Sequence, residues 1–216
     1  MKKVRLGMGA VMMIAATLVS DSVMIMVVYL AAALLHEIGH ILAAKALKID
    51  IKEIRFGFSG VRIVTDGRLT SYKSETLLAI AGPFINLCVV SLTLIGFWVS
   101  GSGFEDMISR AWSFMSYPDF NAQNIAAFLA LSSIMQAALN LLPVKSFDGG
   151  RVLYCIVAQM LGERIGERVI DISTMLSCMI LWTVALYLML RVGGGLGIYV
   201  FSACIFASVF EKCNQV

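Results

Sequence analysis

Apolar residues run in long blocks along this chain, and the polar residues gather between them. A block needs about 18 residues to cross the hydrocarbon core of a bilayer as a helix. Six segments are read as membrane helices: 6–19, 22–47, 76–100, 124–144, 169–190 and 196–210, the first and last being the shortest. Between the second and third the rhythm changes. Ile54, Phe56 and Phe58 alternate with Arg55 and Gly57, and Val61 and Ile63 flank Arg62. Turn signals stand at Ser59-Gly60 and Asp66-Gly67. Period-two alternation broken by such turns predicts a small membrane-associated β-hairpin. Residues 101–123 carry no clear period and are read as a connection. The expected fold is an all-α multi-pass membrane protein of about six transmembrane helices, one domain over residues 1–216.

Charge gives those helices a direction. Basic residues concentrate on the cytosolic side of a membrane protein. With the N-terminus in the cytosol, alternation puts 15 of the 17 Lys and Arg residues inside, leaving Arg110 and Arg191 outside. The opposite orientation inverts the ratio. A cell-membrane protein with both termini cytosolic is therefore expected. The first segment shares a basic start and short apolar stretch with signal peptides but lacks a small-residue cleavage site.

Composition agrees. The chain is 59% hydrophobic and 14% charged, where soluble chains are about one quarter charged. Its five cysteines fall mostly inside apolar runs with no ligand spacing, so they read as small packing residues rather than a disulfide framework.

One apolar run contains three ionisable groups. Within 22–47 stands His36-Glu37-Ile38-Gly39-His40, the pattern H-E-x-x-H. Positions four apart share a helix face, so two imidazoles can bind one zinc ion (Zn2+) while the glutamate reaches its open position. There Glu37 can take a proton from water and return it to a leaving amine. The chain's two histidines are both in this motif. A charge in a membrane helix costs about 2.5–3.5 kcal/mol on the insertion scale, so Glu37 is a functional candidate by default. A third ligand must be a carboxylate or a thiolate. Asp148 is the first candidate, because it follows Pro143 in NLLPVKSFDGG, at the cytosolic end of the fourth helix, where the chain breaks. Asp171 is its rival, near the same side of the membrane.

HEIGH, AGPFINL (Gly82, Pro83, Asn86) and NLLPVKSFDGG (Asn140, Pro143, Asp148, Gly149) together resemble the site-2 protease family, peptidase family M50, of intramembrane zinc metalloproteases. The likeness covers about residues 30–155. It implies a three-helix catalytic core at about 22–155, with accessory helices at 6–19, 169–190 and 196–210. It implies one zinc ion on His36, His40 and Asp148, with Glu37 as catalytic base. Asn140 becomes a substrate-peptide or oxyanion contact, and Asn86 a weaker one. Where the family often has a second proline after Pro143, this chain has Lys145. The absence of a PDZ insertion resembles the branch of sporulation proteases that process a membrane-associated pro-sigma factor, without that branch's CBS domain.

The implied activity is cleavage of a peptide bond within or next to a transmembrane segment, on the cytosolic side, releasing a regulatory protein such as a sigma factor. A membrane-associated protein substrate and the bilayer are the expected partners, with no nucleic acid. The 49–73 hairpin is expected to offer an edge strand to the unwound substrate. Two alternatives share parts of the pattern: a maturation or immunity protease for secreted peptides, and a metal-binding membrane transporter. A transporter would spread polar residues over several helices, often in repeated halves, and no repeat is visible.

Overall fold

The computed structural model describes residues 3–6, 23–49, 51–57, 60–65 and 71–192 of the chain. In chain order these form β1 (Lys3–Leu6), α1 (Val23–Ala46), β2 (Ile51–Gly57), β3 (Gly60–Thr65), α2 (Tyr72–Val99), α3 (Phe104–Ser116), α4 (Ala122–Asn140), α5 (Asp148–Leu161) and α6 (Glu163–Val192). The fold is dominated by helices. Three of those described, α1, α2 and α4, are long and apolar enough to cross a membrane. The expected segment at 196–210, nearly all of 6–19, and the Asp66-Gly67 turn lie outside the described residues.

α1 ends without glycine. Lys48 takes a left-handed backbone at φ 54°, and the Ile49 amide reaches back to the Ala44 carbonyl at 2.9 Å while the Lys48 amide reaches Lys45 at 3.1 Å. This pair of bonds closes the last turn as a Schellman motif. The chain then enters β2, which pairs antiparallel with β3 (Ile54 opposite Ile63) and parallel with β1 (Val4 opposite Ile54), in the order β1-β2-β3. Ser71 caps α2 through its hydroxyl, which accepts from the Ser74 amide at 3.3 Å.

α1, α2 and α4 pack against one another. Their interfaces use small residues: Ala32 and Ala44 on α1, Ala79 and Gly82 on α2, and Ala127, Ala130, Ser133 and Ala137 on α4 are all buried. Small side chains let helix backbones approach closely, which is how membrane helices associate when lipid offers no hydrophobic drive. Large apolar residues such as Leu34, Leu42, Phe84 and Leu92 point outward, as a lipid-facing surface requires.

The structure differs from the sequence expectation in four places. Residues 101–123, read as patternless, contain α3, whose Met107 and Ala111 are buried against α2 and α4 and whose Phe114 is buried against α1 and α4. The expected helix 124–144 stops at Asn140, because Pro143 supplies no amide to continue it. The connection after it contains α5, which begins at Asp148 and packs on α2 and α6. The expected segment 169–190 is the later part of α6, which starts earlier, at Glu163.

Candidate metal centre

His36 and His40 are one turn apart on α1 and both are buried. Their rings meet edge to face, centroids 4.8 Å apart, and their Nε2 atoms are 3.2 Å apart. The His40 Nδ1–H donates to the Leu78 carbonyl of α2 at 2.8 Å. That bond holds a proton on Nδ1 and turns Nε2 toward His36 and Asp148. Glu37, next in sequence to His36, is half-buried, with its Oε2 atom out of solvent.

Asp148 arrives from the break after α4. Its Oδ2 lies 3.1 Å from His36 Nε2 and 3.2 Å from His40 Nε2. Burial works to raise its carboxyl, but the hydrogen bonds and charges of the two histidines outweigh that and hold it below the ordinary carboxylate value.

The loop 141–147 that presents Asp148 is fastened from the far side by α6. The Lys145 amide donates to Thr174 Oγ1 at 2.9 Å, and Ser173 Oγ donates to the Pro143 carbonyl at 2.9 Å. Val144 and Phe147 bury against Cys178. Asp171, the rival third ligand, instead binds the Lys145 ammonium at 2.8 Å. Gly149 completes the approach, since a Cβ there would strike the Leu141 carbonyl.

α2 contributes space as well as bonds. A Cβ at Gly82 would sit against the Nε2 atoms of both histidines. Around this gap, Asn140 Nδ2 lies 3.3 Å from His36 Nε2, and Asn86 Nδ2 lies 3.3 Å from His36 Nδ1. Asn86 is fully buried. Cys155, the nearest thiol in sequence to Asp148, turns to the Glu75 carboxylate at 3.7 Å. Burial and that carboxylate push its thiol up to about 11, so it stays protonated and is a poor metal ligand.

These residues fit a zinc ion. Two imidazole nitrogens and a carboxylate oxygen face one another at 3.1–3.2 Å. Ligands about 2.0–2.1 Å from a tetrahedral ion stand about 3.3 Å from each other. Gly82 keeps clear the space beside them. Among the described residues, His36, His40 and Asp148 form the one such group able to hold a metal. The sequence alone points to His36, His40, Asp148, Asn140 and Asn86, which meet around this space, and to Glu37 beside them. It does not point to the outer support from Leu78, Ser173 and Thr174, because a backbone carbonyl and a helix-borne hydroxyl leave no motif.

The chain resembles known proteins in the same region. The sequence profile of peptidase family M50 matches residues 23–184. A protein of the cyanobacterium Synechocystis, named as a candidate zinc metalloprotease, is 31% identical over 87 residues, covering 37% of this chain and 24% of the relative. A second Synechocystis protein with the same kind of name is 30% identical over 131 residues, covering 60% of this chain and 30% of the relative. The chain thus spans less than a third of the length of either. The fold matches that of a site-2 protease from Methanocaldococcus jannaschii with a TM-score of 0.59 at 20% identity, covering 96% of this chain and 87% of that one.

Proposed function

Because this chain belongs to peptidase family M50, whose profile it matches over residues 23–184, we propose that it is an intramembrane zinc metalloprotease. It hydrolyses a peptide bond within or next to a transmembrane segment of a membrane-associated protein, and so releases a regulatory protein such as a sigma factor to the cytosol. The observation that carries this reading is the meeting of Asp148 Oδ2 with both histidine Nε2 atoms, at 3.1 and 3.2 Å.

His36, His40 and Asp148 are assigned as the zinc ligands. Bound there, zinc supplies Lewis acidity toward a carbonyl oxygen and toward water. Glu37 is assigned as the base: it takes the proton of the attacking water and passes it to the leaving amine nitrogen. Asn140, half-buried at the end of α4, is assigned to the substrate backbone, where its amide N–H can donate to a developing oxyanion. Six membrane helices, with both ends and the active site toward the cytosol, remain the topology that best distributes the basic residues. In that topology β1–β3 lie on the cytosolic side, and an outer strand of the sheet offers unpaired backbone groups to a substrate whose own helix has unwound.

The test is co-expression of the chain with candidate single-pass proteins and membrane-associated sigma factors, wild type against Glu37→Gln. A cytosolic fragment that appears with the wild type and not with Glu37→Gln supports the reading. A fragment that persists with Glu37→Gln removes Glu37 from the chemistry.

A further inference from the structure

Leu78, Gly82 and Asn86 stand four residues apart on α2 and so share one face of that helix. Each meets the histidine pair of α1. The Leu78 carbonyl holds His40 Nδ1, Gly82 faces both Nε2 atoms, and Asn86 lies against His36 Nδ1 at 3.3 Å. Since 40 pairs with 78 and 36 with 86, the two helices run antiparallel, and one stripe of α2 backs both rings.

The two outer contacts are not chemically alike. Leu78 offers an acceptor, which keeps the His40 proton on Nδ1. Asn86 turns its amide nitrogen, a donor, toward His36 Nδ1. A ring whose Nε2 ligates zinc carries its proton on Nδ1, so donor would face donor. Asn140 Nδ2, lying 3.3 Å from His36 Nε2, also asks for a lone pair on Nε2. Meanwhile Asn86 Oδ1 is buried with no hydrogen-bond partner. Turning the Asn86 amide over resolves both faults at once: Oδ1 accepts from Nδ1–H, and an orphaned buried acceptor is satisfied. The amide N–H then needs an acceptor. α4, which packs against α2, carries two buried oxygens without partners, Ser133 Oγ and Gln136 Oε1.

We propose that Asn86 is a positioning residue for the metal centre. Its side-chain oxygen holds the His36 proton on Nδ1 and so aims the Nε2 lone pair at zinc, doing for His36 what the Leu78 carbonyl does for His40. Asn86 then touches no substrate; full burial behind the ring suits this and not a peptide contact. The proposal rests on His36 being a zinc ligand.

The test uses the full chain purified in detergent. Zinc affinity is measured by chelator competition for the parent, His36→Ala, Asn86→Leu and Asn86→Asp. Loss of zinc in His36→Ala checks the ligand assignment independently of Asn86. Removing an outer partner of a ligating histidine costs about 10–100-fold in metal affinity, so Asn86→Leu is expected to lose that much. Asn86→Asp, whose carboxylate can only accept, is expected to bind at least as tightly as the parent. Because the chain has two histidines, 15N-histidine labelling of zinc-loaded protein gives a spectrum of two rings. Both are expected to be bound through Nε2 with a slowly exchanging Nδ1–H in the parent, one of the two Nδ1–H protons exchanging faster in Asn86→Leu. The proposal is overturned if folded Asn86→Leu keeps parental zinc affinity and Nδ1–H exchange, or if Asn86→Asp loses zinc as fully as Asn86→Leu. If both variants misfold, the parental spectrum decides alone, and a ring bound through Nδ1, or an Nδ1–H that exchanges freely with water, contradicts it.

Discussion

Asp148 Oδ2 stands 3.1 Å from His36 Nε2 although 112 residues separate them in the chain. That distance is set by a loop rather than by a helix register. α4 stops at Asn140, the chain turns at Pro143, and α6 holds the turn from behind through Ser173 and Thr174. Removing the carboxylate should therefore remove metal without unfolding the helices. Asp148→Ala is expected to weaken zinc binding by more than the roughly 100-fold upper range for losing an outer-shell partner, while helical circular dichroism is retained. Parental zinc content in Asp148→Ala would move the third ligand elsewhere.

Lys145 gives the loop a test of its own. Its amide donates to Thr174 Oγ1, which is buried, whereas its ammonium pairs with Asp171 in the open, the two side chains being 44% and 59% exposed. An unsatisfied buried group costs about 1–3 kcal/mol, and an exposed ion pair contributes about 0–1 kcal/mol. Thermal unfolding should then show Lys145→Pro, which lacks the amide, and Thr174→Val clearly destabilised. Lys145→Ala should be close to parental. The same melting temperature for Lys145→Pro and Lys145→Ala would mean that the backbone bond does not hold the loop.

Two glycines of α2 should respond in opposite directions. Gly82 faces the histidine Nε2 atoms, while a Cβ at Gly96 would meet nothing within 4 Å. Gly82→Ala is expected to lose zinc and to destabilise by about 1–3 kcal/mol through overpacking. Gly96→Ala should stabilise by about 0.5–1 kcal/mol, since alanine loses less backbone freedom in a helix. Zinc content and melting temperature measured together check the pair. A Gly82→Ala protein with full zinc would show that the space is not needed.

The Cys155 thiol, pushed up to about 11 by burial and the Glu75 carboxylate, should resist alkylation at pH 8, where about one thiol in a thousand is ionised. The sign of its effect on stability follows from tighter proton binding in the folded state. Stability from this group is intact below the ordinary thiol range and is lost as pH rises from 9.0 toward 11. Cys155→Ala should flatten that part of the alkaline unfolding curve. An unchanged curve would show that the thiol does not titrate there.

Much of the centre is legible in the sequence. His36 and His40 announce themselves because a helix repeats its face every four residues and because ionisable groups are costly in an apolar run. Asp148 stands out because it follows the helix break at Pro143 in NLLPVKSFDGG. The helices around the centre were less legible. α3 does carry a helical period, with Met107, Ala111 and Phe114 on one buried face, but at 13 residues it is short and mixed in polarity beside the membrane-length apolar runs. α5 opens with Asp148-Gly149-Gly150, which has the residues of a turn. It starts a helix because the missing side chain at Gly149 lets that backbone lie against the Leu141 carbonyl. The outer contacts of the histidines depend on which α2 residues fall opposite them, and that is a matter of helix packing rather than of any local signal.

X-ray absorption at the zinc edge of the purified full chain tests the central claim most directly. One zinc per chain is expected, in a shell of nitrogen and oxygen at about 2.0–2.1 Å. That shell should disappear in His36→Ala, His40→Ala and Asp148→Ala and persist in Glu37→Gln. A sulfur shell at about 2.3 Å, or zinc retained without Asp148, would contradict it.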